Sequence, residues 1–194
     1  MFDLIIQSPD GSSLFYPPFE KITIKEELNK GYDGSISVSY PDIKKYALAF
    51  GLKPDDIFAS GNKEWYVRKD EVKIFGGILL DRKINGGGSG MTSYSINFAD
   101  FSMLLDKRRT SNFWQRLATD SGVIVSDLLD FTNALSDTLI TMGTQPTLKV
   151  RDLTSRFEKI RDEIVSMSAL KKYDGYDWDC DVTKKLNLYD PKGE

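Results

Sequence analysis

VKIFGGILLDRKINGGGSGMTSYSINFADFSMLLDKRR, residues 72–109, reads as a strand, a glycine-rich tip, a returning strand, and a short helix or turn that ends in basic residues. Val72, Ile74, Gly76, Ile78 and Leu80 alternate with Lys73, Phe75, Gly77, Leu79 and Asp81, and Tyr94, Ile96 and Phe98 alternate with Ser95 and Asn97. A period of two belongs to half-buried strands, whose successive side chains point to opposite faces. Between the two runs, Asn85-Gly-Gly-Gly-Ser-Gly90 can reverse the chain because glycine enters positive φ without a steric penalty. The segment predicts one long β-hairpin.

Composition limits what such a hairpin belongs to. A chain of 194 residues, 40% hydrophobic and 12% aromatic, is long enough for one substantial core or two small ones. A net charge of -3 offers no broad basic field, which argues against nucleic-acid binding by bulk electrostatics. No apolar run approaches the roughly 18 residues of a membrane span, and Met1-Phe-Asp-Leu-Ile-Ile-Gln7 lacks the basic region and long apolar run of a signal peptide. Cys180 is the only cysteine, so an intrachain disulfide is impossible and a reducing compartment is the simplest expectation. The chain has no histidine. That removes Ser-His-Asp and Cys-His nucleophilic sites, histidine-containing zinc sites and the 2-His-1-carboxylate iron site.

Ahead of the hairpin, residues 2–7 predict a first strand, and Ser8-Pro-Asp-Gly-Ser12 carries turn chemistry. Ile22-Thr-Ile24 and Ser35–Tyr40 predict two strands joined by a loop over 29–34. Pro41–Phe50 has a proline and an acid at its start and Ile43, Tyr46, Ala47 and Phe50 on one face, the marks of an amphipathic helix, with Gly51 as its candidate cap. Asp56-Ile-Phe-Ala59 and Glu64–Arg68 then flank a turn at Ser60-Gly-Asn62. Residues 1–109 thus predict a mostly β domain of six or seven strands with one interposed helix. A small barrel or strongly curved sheet fits, since closing a sheet hides its edges.

Beyond Arg109 the pattern changes to a small α+β domain, residues 110–194. Asn112–Leu117 reads as a short connection. Ser126–Leu135 reads as a helix, with Ser121 or Ser126 as candidate caps. Residues 139–142 and 147–150 are strand-like. A long helix is expected over 152–172, its apolar stripe formed by Leu153, Phe157, Ile160, Ile164, Val165 and Met167. Residues 176–182 and 186–189 close the chain as a strand pair around Thr183-Lys-Lys185.

Four features invite a chemical reading, and each has a plainer one. Asp177, Asp179 and Asp181 share one face of a strand, but a calcium loop starting at Asp177 would put Val182 where glycine belongs and Leu188 where the bidentate glutamate belongs, so a solvated acidic face is expected. The glycines at 86–90 lead into a strand rather than into the Lys-Ser/Thr and helix of a phosphate loop. Lys107, Arg108 and Arg109, followed by Trp114 and Arg116, resemble a nucleic-acid contact but equally suit a segment's C-terminal end or an interface. Glu158 and Asp162, four apart with Lys159 and Glu163 between and beside them, fit an exposed helix face better than a catalytic pair. No catalytic, cofactor-binding or metal-binding residue is assigned, and no cofactor is expected.

The order of these elements resembles the N-terminal part of phage tail-hub proteins. The match runs through Ile22-Thr-Ile24, Ser35–Pro41, Trp65-Tyr-Val-Arg68, Phe75-Gly-Gly-Ile78, Tyr94–Asp100 and Leu104-Leu-Asp-Lys-Arg-Arg109. It continues through Val150-Arg-Asp-Leu-Thr154, Gly175–Asp179 and Lys185-Leu-Asn-Leu188, so it covers nearly the whole chain in short, degenerate motifs. The resemblance implies a tube-type β-barrel domain and a structural, non-enzymatic role in the virion's tail tip, made in the host cytoplasm. It implies a hub ring, a trimer, joining the tail tube to the distal fibre, spike or peptidase-bearing part. The partners would be other copies of the chain and a neighbouring distal tail or tube protein, with DNA only as cargo and neither a small-molecule substrate nor a membrane. In that setting the glycine-tipped hairpin would pair sheets between subunits or line the channel. Such proteins usually continue into a second tube-type domain, which makes this chain either the front portion of a longer protein or closer to a ring-forming distal tail protein.

Two other classes remain to be compared. Trp65, Tyr66, Trp114, Tyr176 and Trp178 would supply a carbohydrate- or receptor-binding surface if exposed and coplanar. A carboxylate-based hydrolase would need two convergent acids about 5 to 9 Å apart in a cleft.

Overall fold

The structure is a computed structural model and describes residues 2–27, 29–59, 63–86, 92–169 and 175–190. It is mostly β, with helices between the strands. The chain divides into two compact units, one formed by residues 1–26 and 32–100, the other by 27–31 and 101–194.

The first unit is one seven-stranded sheet. Its strands are β1 (Phe2–Gln7), β2 (Leu14–Phe15), β3 (Lys21–Glu27), β4 (Gly31–Ser39), β5 (Glu64–Lys69), β6 (Val72–Gly86) and β7 (Thr92–Asp100), in the order β2-β1-β5-β6-β7-β4-β3. Among the described residues it is open, with β2 and β3 as its edges. The expected hairpin is β6 and β7, paired antiparallel from Gly77↔Asp100 out to Gly86↔Thr92. The tip, 87–91, lies outside the described residues, as does the turn expected at 60–62.

Burial along β6 does not alternate simply. Gly76, Gly77, Ile78 and Leu79 are all buried, whereas Val72 and Ile74 are exposed. The core takes Phe75 and Leu79, because the register sets Leu4, Val67 and Phe75 in one row and Leu79 opposite Phe98. On the other face Glu64, Ile78 and Ala99 form a second buried row. A register shift between Leu79 and Asp81 then breaks the period.

Helix α1 (Tyr40–Ala49) follows β4 as its proline and acid predict, burying Ile43 and Ala47 against the core. Gly51, at φ 68°, ends it with an N–H donated to Leu48 O at 3.0 Å. The Asp56-Ile-Phe-Ala segment proves to belong to a single helical turn, α2 (Pro54–Ile57), held by Asp56 accepting from the Lys53 N–H at 2.9 Å.

The second unit contains α3 (Met103–Asp106), β8 (Trp114–Asp120), α4 (Ser121–Leu135), β9 (Thr141–Met142), β10 (Val150–Ser155), α5 (Ile160–Ser168), β11 (Asp177–Cys180) and β12 (Lys185–Tyr189). Its buried residues are Ile124, Val125, Leu128 and Leu129 on α4, Ile160, Ile164 and Met167 on α5, and Trp178, Cys180, Leu186 and Leu188 on the last two strands, among others. Three expectations need correction here. Asn112–Leu117 is no mere connection: from Trp114 it is β8, paired antiparallel with β10. Helix α4 begins at Ser121, and its cap is Asp120 rather than a serine, accepting from the Gly122 N–H at 2.7 Å and the Val123 N–H at 3.4 Å.

The long helix over 152–172 is the third. Its first part is strand: Leu153↔Arg116, Thr154↔Gln115 and Ser155↔Trp114 pair in β10. Phe157 then turns the chain at φ 55° and stays exposed, so its place in a helical stripe was coincidental. Only α5 remains helical, and 170–172 lie outside the described residues. The expected strand at 139–142 shrinks to β9, which runs parallel to β12, and the one at 147–150 begins only at Val150.

Candidate assembly surface

Strand β5 ends its pairing with β6 at Glu64↔Ile78. From Asp81 to Gly86, β6 has a ladder partner on one side only among the described residues, namely β7. β7 itself is flanked on its other side by β4 from Ser93↔Ser39 to Ala99↔Asp33. Among the described residues no strand lies along that flank of β6, and a flank of this kind is one that accepts another strand. Ile84 in this stretch is 58% exposed, a large apolar side chain with no core to fill.

The stretch is not loose at its root. Arg82 donates from Nη1 to Phe58 O at 3.1 Å and pairs with Asp55 at 3.3 Å, so its guanidinium holds β6 to the α2 turn. Tyr94 on β7 donates its hydroxyl to the same Asp55 and stacks on Tyr40 at a centroid distance of 5.5 Å. Burial, and then the bond to Asp55, push the Tyr94 phenol up to about 12. Burial and the bond to Asp179 do the same for Tyr189, up to about 12.

A raised phenol is neutral in the fold after it has ionised in the unfolded chain. Its contribution is whole below pH 10 and is lost as pH climbs towards 12. Melting temperature is expected to be flat from pH 7 to about 9 and to fall beyond pH 10. Tyr94→Phe should blunt that fall, as followed by circular dichroism with phenolate absorbance recorded in parallel.

The residues singled out from the sequence occupy plainer positions. Asp177 and Asp179 lie half-buried on one face of β11, with Trp178 and Cys180 buried on the other, and Asp181 follows the strand, also half-buried. Their oxygens are already engaged: Asp177 accepts from Asn29 at 3.0 Å, Asp179 from Asn187 at 3.0 Å and the Tyr189 hydroxyl at 2.9 Å, and Asp181 from the Thr183 N–H at 2.7 Å. Burial raises the Asp181 pKa, but hydrogen bonds from Thr183, Lys185 and Asn187 outweigh it and hold the carboxyl below its usual range. Among the described residues no group of three potential ligands is placed to hold a metal.

The basic cluster is turned to structural use. Arg108 reaches Ser136 Oγ at 2.9 Å, Arg109 reaches Phe157 O at 2.8 Å, and Arg116 pairs with Asp127 while covering the Trp114 ring. Glu158 precedes α5, so it does not share a helix face with Asp162, and Lys159 instead grips Asp106 at 3.0 Å. Glu163 is largely buried. Trp65, Tyr66, Trp114, Tyr176 and Trp178 are all buried. They do not form an exposed aromatic platform, which removes the basis on which a carbohydrate-binding surface was drawn. The sequence did not reveal the one-sided stretch of β6. The sequence shows a strand leading to a glycine tip that begins at Asn85, but not that the strand runs on to Gly86 nor where β5 stops beside it.

This architecture recurs in solved structures. The 43 kDa tail protein of prophage MuSo2 from Shewanella oneidensis superposes with a TM-score of 0.61 at 12% identity, over 98% of this chain and 56% of that one. The fold is a tail-protein fold. A tail protein from Neisseria meningitidis gives 0.59 at 12% identity, over 96% of this chain and 51% of the other. An Escherichia coli protein, described as a component of the type VI secretion system with structural similarity to T4 bacteriophage tail proteins, gives 0.53 at 14% identity, over 89% and 50%. The chain thus spans about half the length of the tail-fold structures it matches. No protein-family model and no curated protein matches the sequence. Among the described residues no helix is long and apolar enough to cross a membrane.

Proposed function

We propose that this chain is a structural subunit of a phage or phage-like tail tip, part of the hub ring that joins the tail tube to the distal fibre, spike or peptidase-bearing part. The observation that carries the reading is the one-sided stretch Asp81–Gly86 on a sheet of tail-protein fold, with Ile84 exposed at its centre. An open strand flank meets a second sheet by backbone hydrogen bonds, and a ring needs such a head-to-tail contact between identical copies. In this reading the first unit is the tube-type domain. The chain performs no catalysis, takes no cofactor, works at the virion's tail tip and assembles with itself as a trimer and with a neighbouring distal tail or tube protein.

The test is solution mass by light scattering over a range of concentrations, for the native chain and for Ile84→Asp. The native chain is expected to form a trimer as concentration rises. Ile84→Asp should shift it to monomer with an unchanged melting temperature, because the replaced side chain is exposed and packs in no core. A strict monomer at every concentration, or assembly indifferent to Ile84→Asp, overturns the reading.

A further inference from the structure

Phe157 is held in a strained backbone conformation, and its ring is left in solvent. It lies at φ 55°, in the left-handed region that a bulky residue rarely enters, and is 60% exposed. Such a conformation persists only where the surroundings over-determine it. Here they do. The Phe157 N–H donates to Ser111 O at 3.0 Å, and Arg109 Nη1 donates to Phe157 O at 2.8 Å. The next residue, Glu158, donates its N–H to Thr110 Oγ1 at 3.1 Å and accepts the Thr110 N–H at 2.9 Å. None of these bonds uses the phenyl ring, and glycine would suit the turn better.

The surface beside the ring is aromatic and basic. Beyond Ser155↔Trp114, the last pair of β10 and β8, the next residues outward are Arg156 and Phe113. Phe113 is exposed, and the Arg156 guanidinium stands over its ring at 5.6 Å. Arg109 and Arg156 are exposed, as is Lys107. Two rings offer apolar contact, and the arginine forks match a carboxylate. The fitting occupant combines an apolar side chain with an acid.

One exposed turn of this chain has that composition. Strands β5 and β6 are joined through Asp70 and Glu71, at φ 46° and 70°, with Lys69↔Val72 as the closing pair. Glu71 is exposed, and Val72 beside it is 63% exposed. Taking the hub reading as given, we propose that Phe157 and its arginines form the seat for the β5–β6 turn of the next copy of this chain. Val72 lies against the phenyl rings, and Glu71 pairs with Arg156. The two patches are different surfaces, so their meeting is a head-to-tail contact of the kind that closes a ring.

Light scattering over a range of concentrations tests this on the full chain with Phe157→Gly, Arg156→Glu, Glu71→Arg and the double charge exchange. Phe157→Gly is expected to raise the concentration at which assembly sets in about tenfold or more. Its melting temperature should stay native, because glycine accepts the positive φ. Each charge reversal should weaken assembly, and the double variant should recover most of the loss. Native assembly in Phe157→Gly overturns the proposal, as does a double variant no better than its two parents. A clear fall in the melting temperature of Phe157→Gly also overturns it, since the ring would then belong to the fold. Ile84→Asp separates the two readings. Assembly lost in Ile84→Asp but native in Phe157→Gly removes the seat and keeps the ring through β6. The reverse pattern removes the β6 flank and keeps the seat as a contact between copies.

Discussion

Gly77→Ala is expected to unfold the first unit or to lower its stability by more than the ~1–3 kcal/mol usual for overpacking a core. A Cβ built at Gly77 would lie within bonding range of the Ala99 carbonyl oxygen, 2.7 Å from that carbonyl's carbon and 2.8 Å from Asp100 Cα. All three are backbone atoms of β7, the strand to which β6 is zipped by Gly77↔Asp100 and Ile78↔Ala99. A clash with a flexible side chain relaxes by a rotamer change, whereas this one must move a strand paired on both sides. Displacing Ala99 also disturbs the indole N–H of Trp65, which donates to that carbonyl at 3.3 Å. Urea titration followed by tryptophan fluorescence gives the change in stability. Gly86→Ala on the same strand, where the added Cβ meets nothing within 4 Å, is the natural control, and a Gly77→Ala midpoint equal to the native one would mean that β6 and β7 lie farther apart than described.

Glycines 76 and 77 show what a sequence does and does not disclose. Period-two alternation placed β6 and β7 correctly, because it depends on nothing but local geometry. Why a glycine stands at 77 in the middle of β6 depends on how closely β7 approaches, and no local pattern contains that distance. Helix α1 was legible for the same local reasons, from Pro41, Asp42 and Gly51. The 152–172 segment failed because its apolar spacing fits a helix on paper, while β10, paired with β8 more than thirty residues earlier, takes in its beginning, up to Ser155. The cap of α4 was misassigned to serines when Asp120 also anchors the incoming chain, accepting from the Leu148 N–H at 2.6 Å. That second bond is long-range and invisible in the local sequence. Charged clusters were misleading in a like way: the partners of Lys159 and Arg109 lie about fifty residues away, at Asp106 and Phe157.

Trp65→Ala is the second large effect, and it separates two readings of the aromatic content. Were Trp65 part of a sugar-binding platform, its removal would abolish binding and leave the fold unchanged. Instead its side chain is 0% exposed, its ring lies 3.8 Å from that of Phe98 and 6.3 Å edge-on to Tyr32, and its indole N–H is spent on Ala99 O. Removing it opens a cavity in the core that also holds Leu4, Ile36, Val67, Leu79 and Ile96, and a truncation of this kind costs about 3–5 kcal/mol. Trp65→Phe keeps an aromatic ring and most of the volume but gives up the indole hydrogen bond to Ala99 O, so its loss should be smaller, about 1–3 kcal/mol. Equilibrium denaturation of the two variants should therefore rank alanine well below phenylalanine and both below the native chain. If Trp65→Ala melted at the native temperature, the tryptophan would have to lie outside the core. The sheet register that places Trp65 opposite Gly77 and Ile6 would then be wrong, and the one-sided stretch of β6, which the same register defines, would fall with it.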